Sequence, residues 1–97
     1  MKPSEVLEKN RAAIRAVTLR HKAVNPRVFG SVARGEDGEH SDLDILVDAL
    51  PEATLLDLGG LLDDLEQLLK PTPVQVMTVR EVPQELRGRI LSEAVAI

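Results

Sequence analysis

The 97 residues suffice for one domain with a modest core, and 43% apolar against 29% charged residues excludes a disordered chain. With no cysteine, disulfides, thiolate zinc sites and a cysteine nucleophile are excluded. A net charge of −4 and a single aromatic, Phe29, argue against long nucleic acid as the ligand, which needs a basic field and stacking platforms.

Pro3 to Lys22 is predicted as a first helix, with Val6, Leu7, Ala13, Ile14 and Val17 at helical spacing. Arg20, His21 and Lys22 read as a solvated end matched to the helix dipole, with no catalytic role for His21. Asn25-Pro26 breaks the pattern, and Arg27-Val28-Phe29 makes a short strand ending at Gly30. Ser31 to Arg34 can form one helical turn with Ser31 as N-cap. Gly35 to Ser41 reads as a polar loop whose acids Glu36, Asp37 and Glu39 face solvent, as does His40.

Leu43, Ile45, Leu46 and Val47 belong to a second strand, with Asp42 and Asp44 at its start. A helix is predicted over Pro51 to Leu69, with an apolar stripe of Leu55, Leu58, Leu62, Leu65 and Leu69. Gly59-Gly60 inside it implies a kink or a close helix–sheet contact. Val74 to Val79 alternates as a third strand, and a last helix starts near Pro83, with Leu86, Ile90 and Leu91 on one side. The tail Ala94 to Ile97 reads equally as core or as a contact surface for a homo-oligomer. The order α-β-β-α-β-α implies an α/β (α+β) fold, a small mixed β-sheet with helices packed on it, in a single domain over 1-97. No apolar run approaches the ~20 residues of a membrane span. MKPSEVLEKNR also lacks the apolar stretch of a signal peptide, so a cytoplasmic protein without membrane attachment is expected.

Two aspartates opening the most apolar strand need a reason, because an unpartnered carboxylate is costly to bury. Residues two apart in a strand share a face, so Asp42 and Asp44 project together beside the loop from Gly30. Their mutual repulsion is relieved by a hard cation such as Mg2+, which takes one or two carboxylates and completes its shell with water and phosphates. Gly30 would let a phosphate approach the main chain, Ser31 adds a hydroxyl, and Arg34 a positive charge. A P-loop is excluded: Gly30 and Gly35 have its glycine spacing, but Glu36-Asp37 stands where Lys-Ser/Thr is required. A Gly-x-Gly-x-x-Gly fingerprint is absent.

GSVARGEDGEHSDLDILV resembles the signature of the polymerase-β-type nucleotidyltransferases: Gly-Ser, about ten residues, then Asp-x-Asp. Within that superfamily the chain is similar to the minimal nucleotidyltransferases, which its length and the ending LRGRILSEAVAI also fit. The resemblance implies that Gly30 and Ser31 hold the phosphates of a nucleoside triphosphate and that Asp42 and Asp44 bind Mg2+. It further implies transfer of a nucleoside monophosphate, AMP from ATP, to an acceptor hydroxyl. A small helical HEPN-type partner in a toxin–antitoxin module is implied as well. The family's third carboxylate, on the next strand, corresponds to Gln75, an amide without charge. Retained Mg-nucleotide binding with reduced or absent transfer is therefore expected. The competing reading is a binding module that neutralises its partner by contact. A transferase for small molecules such as aminoglycosides is disfavoured, because no second domain is there to hold the substrate.

Overall fold

A computed structural model describes residues 1–97. The elements run α1 (Pro3–Arg20), β1 (Ala23–Phe29), α2 (Gly30–Ala33), β2 (Leu43–Ala49), α3 (Leu55–Leu69), β3 (Val74–Thr78), a 3-10 turn (Val79–Glu81), α4 (Gln84–Glu93) and β4 (Val95–Ala96). The four strands form one mixed sheet in the order β3-β2-β1-β4. β1 is antiparallel to both β2 and β4, and β2 is parallel to β3. A mixed α/β architecture is thus present, extended by a fourth strand that the chain order α-β-β-α-β-α did not contain.

Strand parity divides the sheet. Leu43, Ile45 and Val47 of β2 and Val28 of β1 join Leu7, Ile14 and Val17 of α1 and Leu61, Leu65 and Leu69 of α3 in one buried cluster. Truncating any of these large side chains to Ala costs about 2–5 kcal/mol. The opposite face carries a smaller cluster of Phe29, Leu46 and Val82, with Ile90 and Ala94 packed against it. Asp44 and Leu46 are two apart, so Asp44 belongs to this second, thinly covered face.

Several local expectations are corrected. β1 begins at Ala23 and passes through Asn25-Pro26, because a bulge between Val24 and Arg27 absorbs the proline. Asn25 takes φ 54 there, and its side chain donates to Asp48 Oδ2 at 3.0 Å while Arg27 bonds Asp48 and Asn25 O. α3 starts at Leu55, not Pro51, where the Thr54 hydroxyl accepts from Asp57 N–H and the Asp57 carboxylate accepts from Thr54 N–H. Leu55 is 86% exposed; the buried stripe is Leu61, Leu65 and Leu69, which begins nearly two turns further in.

His21 is half-buried, 2.7 Å from Asp64, and its ring lies against Gly60. Gly60 therefore marks a contact between α3 and the end of α1, where a contact with the sheet was the expectation. Asp37 and Glu39 also have partners: Asp37 accepts from Ser4 N–H at the start of α1, and Glu39 pairs with the N-terminal amine. The first is a side-chain cap for a donor that the helix leaves free. The tail resolves into core and edge, with Ile97 buried and Val95–Ala96 paired to β1. Leu86 and Leu91 stay 41% and 43% exposed, and no residue of α4 is fully buried.

Candidate active site

The site gathers where β1 turns into α2 and β2 begins. Leu43 N–H donates to Pro73 O at 2.8 Å, and Gly38 N–H donates to the Ser41 hydroxyl at 2.9 Å, which fixes how the loop delivers Asp42 to the rim of the sheet. Asp42 is exposed and Asp44 half-buried. Across the sheet Asp44 is flanked by Phe29 on β1 and by Gln75 on β3. The residue where the resemblance demands a third carboxylate thus lies directly beside Asp44, and it is an exposed amide.

Gly30 has φ 73, the left-handed region that favours glycine. A second requirement comes from β2: a Cβ built on Gly30 would overlap Asp44 Oδ2. The aspartate carboxylate occupies the space that a side chain would take, so the turn and the strand are matched to one another. α2 includes Gly30, with Phe29 at its N-cap position, so Ser31 is not the cap but lies inside the first turn. Arg34 follows the turn; its Nε donates to Glu36 at 2.8 Å and its Nη1 to Glu93 at 3.2 Å.

The electrostatics are unfavourable to the ionised Asp44 carboxylate. Burial pushes the Asp44 carboxyl above its usual value, and the Asp42 charge adds to that; Arg34 opposes it, and Glu93 raises it further. Divalent magnesium fits this donor set. Both donors are hard carboxylates, and no group of three His, Cys, Asp or Glu side chains is arranged to cage an ion. Most of the coordination shell would fall to water and phosphate oxygens, as Mg2+ prefers. Asp42 and Asp44 are the residues that would hold it.

Gly30, Ser31, Arg34, Asp42, Asp44 and Gln75 therefore lie around one corner of the sheet. Sequence reasoning missed Glu93, which accepts a hydrogen bond from Gly30 N–H at 2.7 Å. The two residues are 63 apart, and no local pattern marks a lone glutamate near the end of a helix as reaching a distant turn.

Residues 7–97 match the model of the family described as polymerase beta, nucleotidyltransferase. The chain belongs to the polymerase-β nucleotidyltransferase family. It is 41% identical over 81 residues to a Methanocaldococcus jannaschii protein named "Putative protein adenylyltransferase MJ0435", covering 84% of this chain and 86% of that one. A solved structure of a "putative minimal nucleotidyltransferase" superposes with TM-score 0.86 at 44% identity, covering 97% of this chain and 95% of the other. A crystal structure of a toxin–antitoxin with AMP-PNP shares the fold, with TM-score 0.74 at 21% identity over 90% of this chain and 71% of that one. The protein is thus a minimal nucleotidyltransferase, as GSVARGEDGEHSDLDILV implied. No helix is long and apolar enough to cross a membrane.

Proposed function

We propose that this nucleotidyltransferase binds Mg-ATP on the Gly30–Ser31 turn and transfers AMP to a hydroxyl of a protein partner. The hydroxyl oxygen, giving up its proton to solvent, bonds to the α-phosphorus as the α–β phosphoanhydride bond breaks and pyrophosphate leaves. The observation that carries the reading is the fit of Asp44 against Gly30, with Asp42 just ahead of β2, outside the strand expected to contain it but near enough for its charge to act on Asp44. Asp42 and Asp44 hold Mg2+, Gly30 and Ser31 meet the phosphates, and Arg34 supplies positive charge. Bound there, magnesium would neutralise the two acids and the phosphate charge that builds up as the nucleotide bond breaks. The chain's own part is to orient the nucleotide against the rim and leave its other side open to the acceptor. Support for a protein acceptor comes from the name of the Methanocaldococcus relative. The small helical partner of HEPN type is taken from the resemblance of GSVARGEDGEHSDLDILV to the minimal nucleotidyltransferases; the toxin–antitoxin structure that shares the fold is in keeping with a protein partner and says nothing of its type. The setting is taken to be cytoplasmic.

The second reading, neutralisation by contact with little transfer, is favoured by one observation: exposed Gln75 stands in register with Asp44 where a charged third ligand would be needed. An amide oxygen can meet a metal but cannot usefully accept the acceptor's proton.

Titration calorimetry with Mg2+ and each of the four ribonucleoside triphosphates tests the first reading. Binding to the native chain and its loss in Asp42→Asn/Asp44→Asn are the expected results. Absence of magnesium-dependent heat with all four nucleotides would refute nucleotide binding. If the double variant still neutralises a partner, contact is the mechanism and transfer is not required.

A further inference from the structure

The same turn carries a contact with α4 that the nucleotide-binding reading above does not use. Glu93, the last residue of α4, accepts from Gly30 N–H at 2.7 Å and from Arg34 Nη1 at 3.2 and 3.3 Å. Its side chain is 17% exposed. A carboxylate on a main-chain N–H and a guanidinium is held by charge-assisted bonds, the same chemistry by which those donors would hold a phosphate oxygen.

We propose that Glu93 is an internal stand-in for phosphate, which occupies Gly30 N–H and Arg34 and sets nucleotide affinity by competing for them. The proposal rests on the nucleotide-binding reading above. A triphosphate arriving at the turn must displace the glutamate, and part of its binding energy is spent in doing so.

Two other roles for Glu93 fit less well. As a substitute for the missing third carboxylate it would have to group with Asp42 and Asp44, yet no three such side chains are placed to hold an ion. As a mere clamp on α4 it would be redundant. Arg87 Nη2 already ties α4 to Val82 O at 3.0 Å, while the chain beyond Glu93 is fixed by β4 pairing and by Ile97 N–H on Pro26 O at 3.0 Å. With the backbone held on both sides, release needs only rotation of the glutamate side chain about its own bonds. The residue can leave without unfolding anything.

The test uses magnesium with inorganic tripolyphosphate, which presents the phosphate chemistry without a base. Calorimetry is run on the native chain and on Glu93→Gln, Glu93→Ala and Glu93→Asp. Glu93→Gln and Glu93→Ala should bind at least ~10-fold tighter, equivalent to about 1.4 kcal/mol. Glu93→Asp keeps the charge but is one methylene too short to reach both donors, so it should gain affinity as well. The Gly30 amide resonance should shift in every variant, and in the native chain on adding ligand.

Equal or weaker binding by Glu93→Gln, with the native chain still binding, overturns the competition and leaves the nucleotide site intact. A gain confined to Glu93→Gln and Glu93→Ala also overturns it, because loss of charge at a distance would then suffice. If no form binds magnesium tripolyphosphate, the competition falls, and the nucleotide reading falls with it only where the four nucleoside triphosphates also give no magnesium-dependent heat.

Discussion

Replacing Gln75 with Asp would put a third acid beside Asp44, its in-register neighbour across the parallel β2–β3 pair. Adjacent strands lie ~4.8 Å apart, so the two carboxylates would sit about 5 Å from one another. At that distance two unit charges repel by about 3 kcal/mol at an effective dielectric of 20, and by less than about 1 kcal/mol in water. Residue 75 is exposed, so the lower end applies, about 1 kcal/mol. For a chain of this size that lowers Tm by about 4–8 °C. Gln75→Asp should therefore melt earlier than the native chain in EDTA at neutral pH and recover on adding millimolar Mg2+. Transfer of labelled AMP to the partner should rise on the order of 10²-fold, the contribution expected of a well-placed base. The measurements are calorimetric melting with and without Mg2+, and label transfer under saturating nucleotide. A native transfer rate matched by Gln75→Asp would refute the claim that the amide limits catalysis. A melting temperature indifferent to Mg2+ in the variant would refute the placement of residue 75 beside a metal site.

The same corner sets a pH dependence. Burial and the Asp42 charge raise the Asp44 pKa in the folded chain above its ordinary 3.8, so the folded state holds that proton more tightly than the unfolded one. The stability this contributes is present below the ordinary value and is lost as pH rises through the raised folded value; Asp44→Asn should remove that slope and raise Tm at neutral pH while weakening Mg2+ binding, as melting in EDTA across pH 3–8 (about the window of carboxylate titration) would read out. In α3, a Cβ on Gly59 meets open space, whereas one on Gly60 comes within 2.9 Å of His21 Cε1. Gly59→Ala should therefore gain about 0.5–1 kcal/mol by helix propensity, while Gly60→Ala loses that gain by displacing the His21 ring from Asp64; urea denaturation of the two variants compares them directly.

How much of this was legible in the chain depended on how local the cause was. Helical spacing located α1 and α3, an apolar run located β2 and alternation located β3, because each pattern is written within one element. Gly30, Ser31, Asp42 and Asp44 were readable for the same reason. A glycine turn followed by paired aspartates at strand spacing places four groups at one corner through backbone geometry alone. Gln75 was matched to its place through the family resemblance; that it lies in register with Asp44 across the parallel β2–β3 pair was decided by the structure.

Other features were decided only when distant segments met. A proline usually ends a strand, yet β1 continues through Pro26 because Asp48, on the neighbouring strand, supports the bulge through Asn25 and Arg27. His21 looked like a solvated helix end until α3 brought Asp64 and the bare Cα of Gly60 against it. Leu55 fits the leucine spacing but lies ahead of the turn where α3 reaches the sheet, so it remains in solvent. Glu93 is the sharpest case. Chemistry within one strand–turn–strand unit is recorded in residue spacing. Contact between that unit and a carboxylate 63 residues away is set by where the sheet ends and how α4 folds back over it, and no stretch of sequence encodes that by itself.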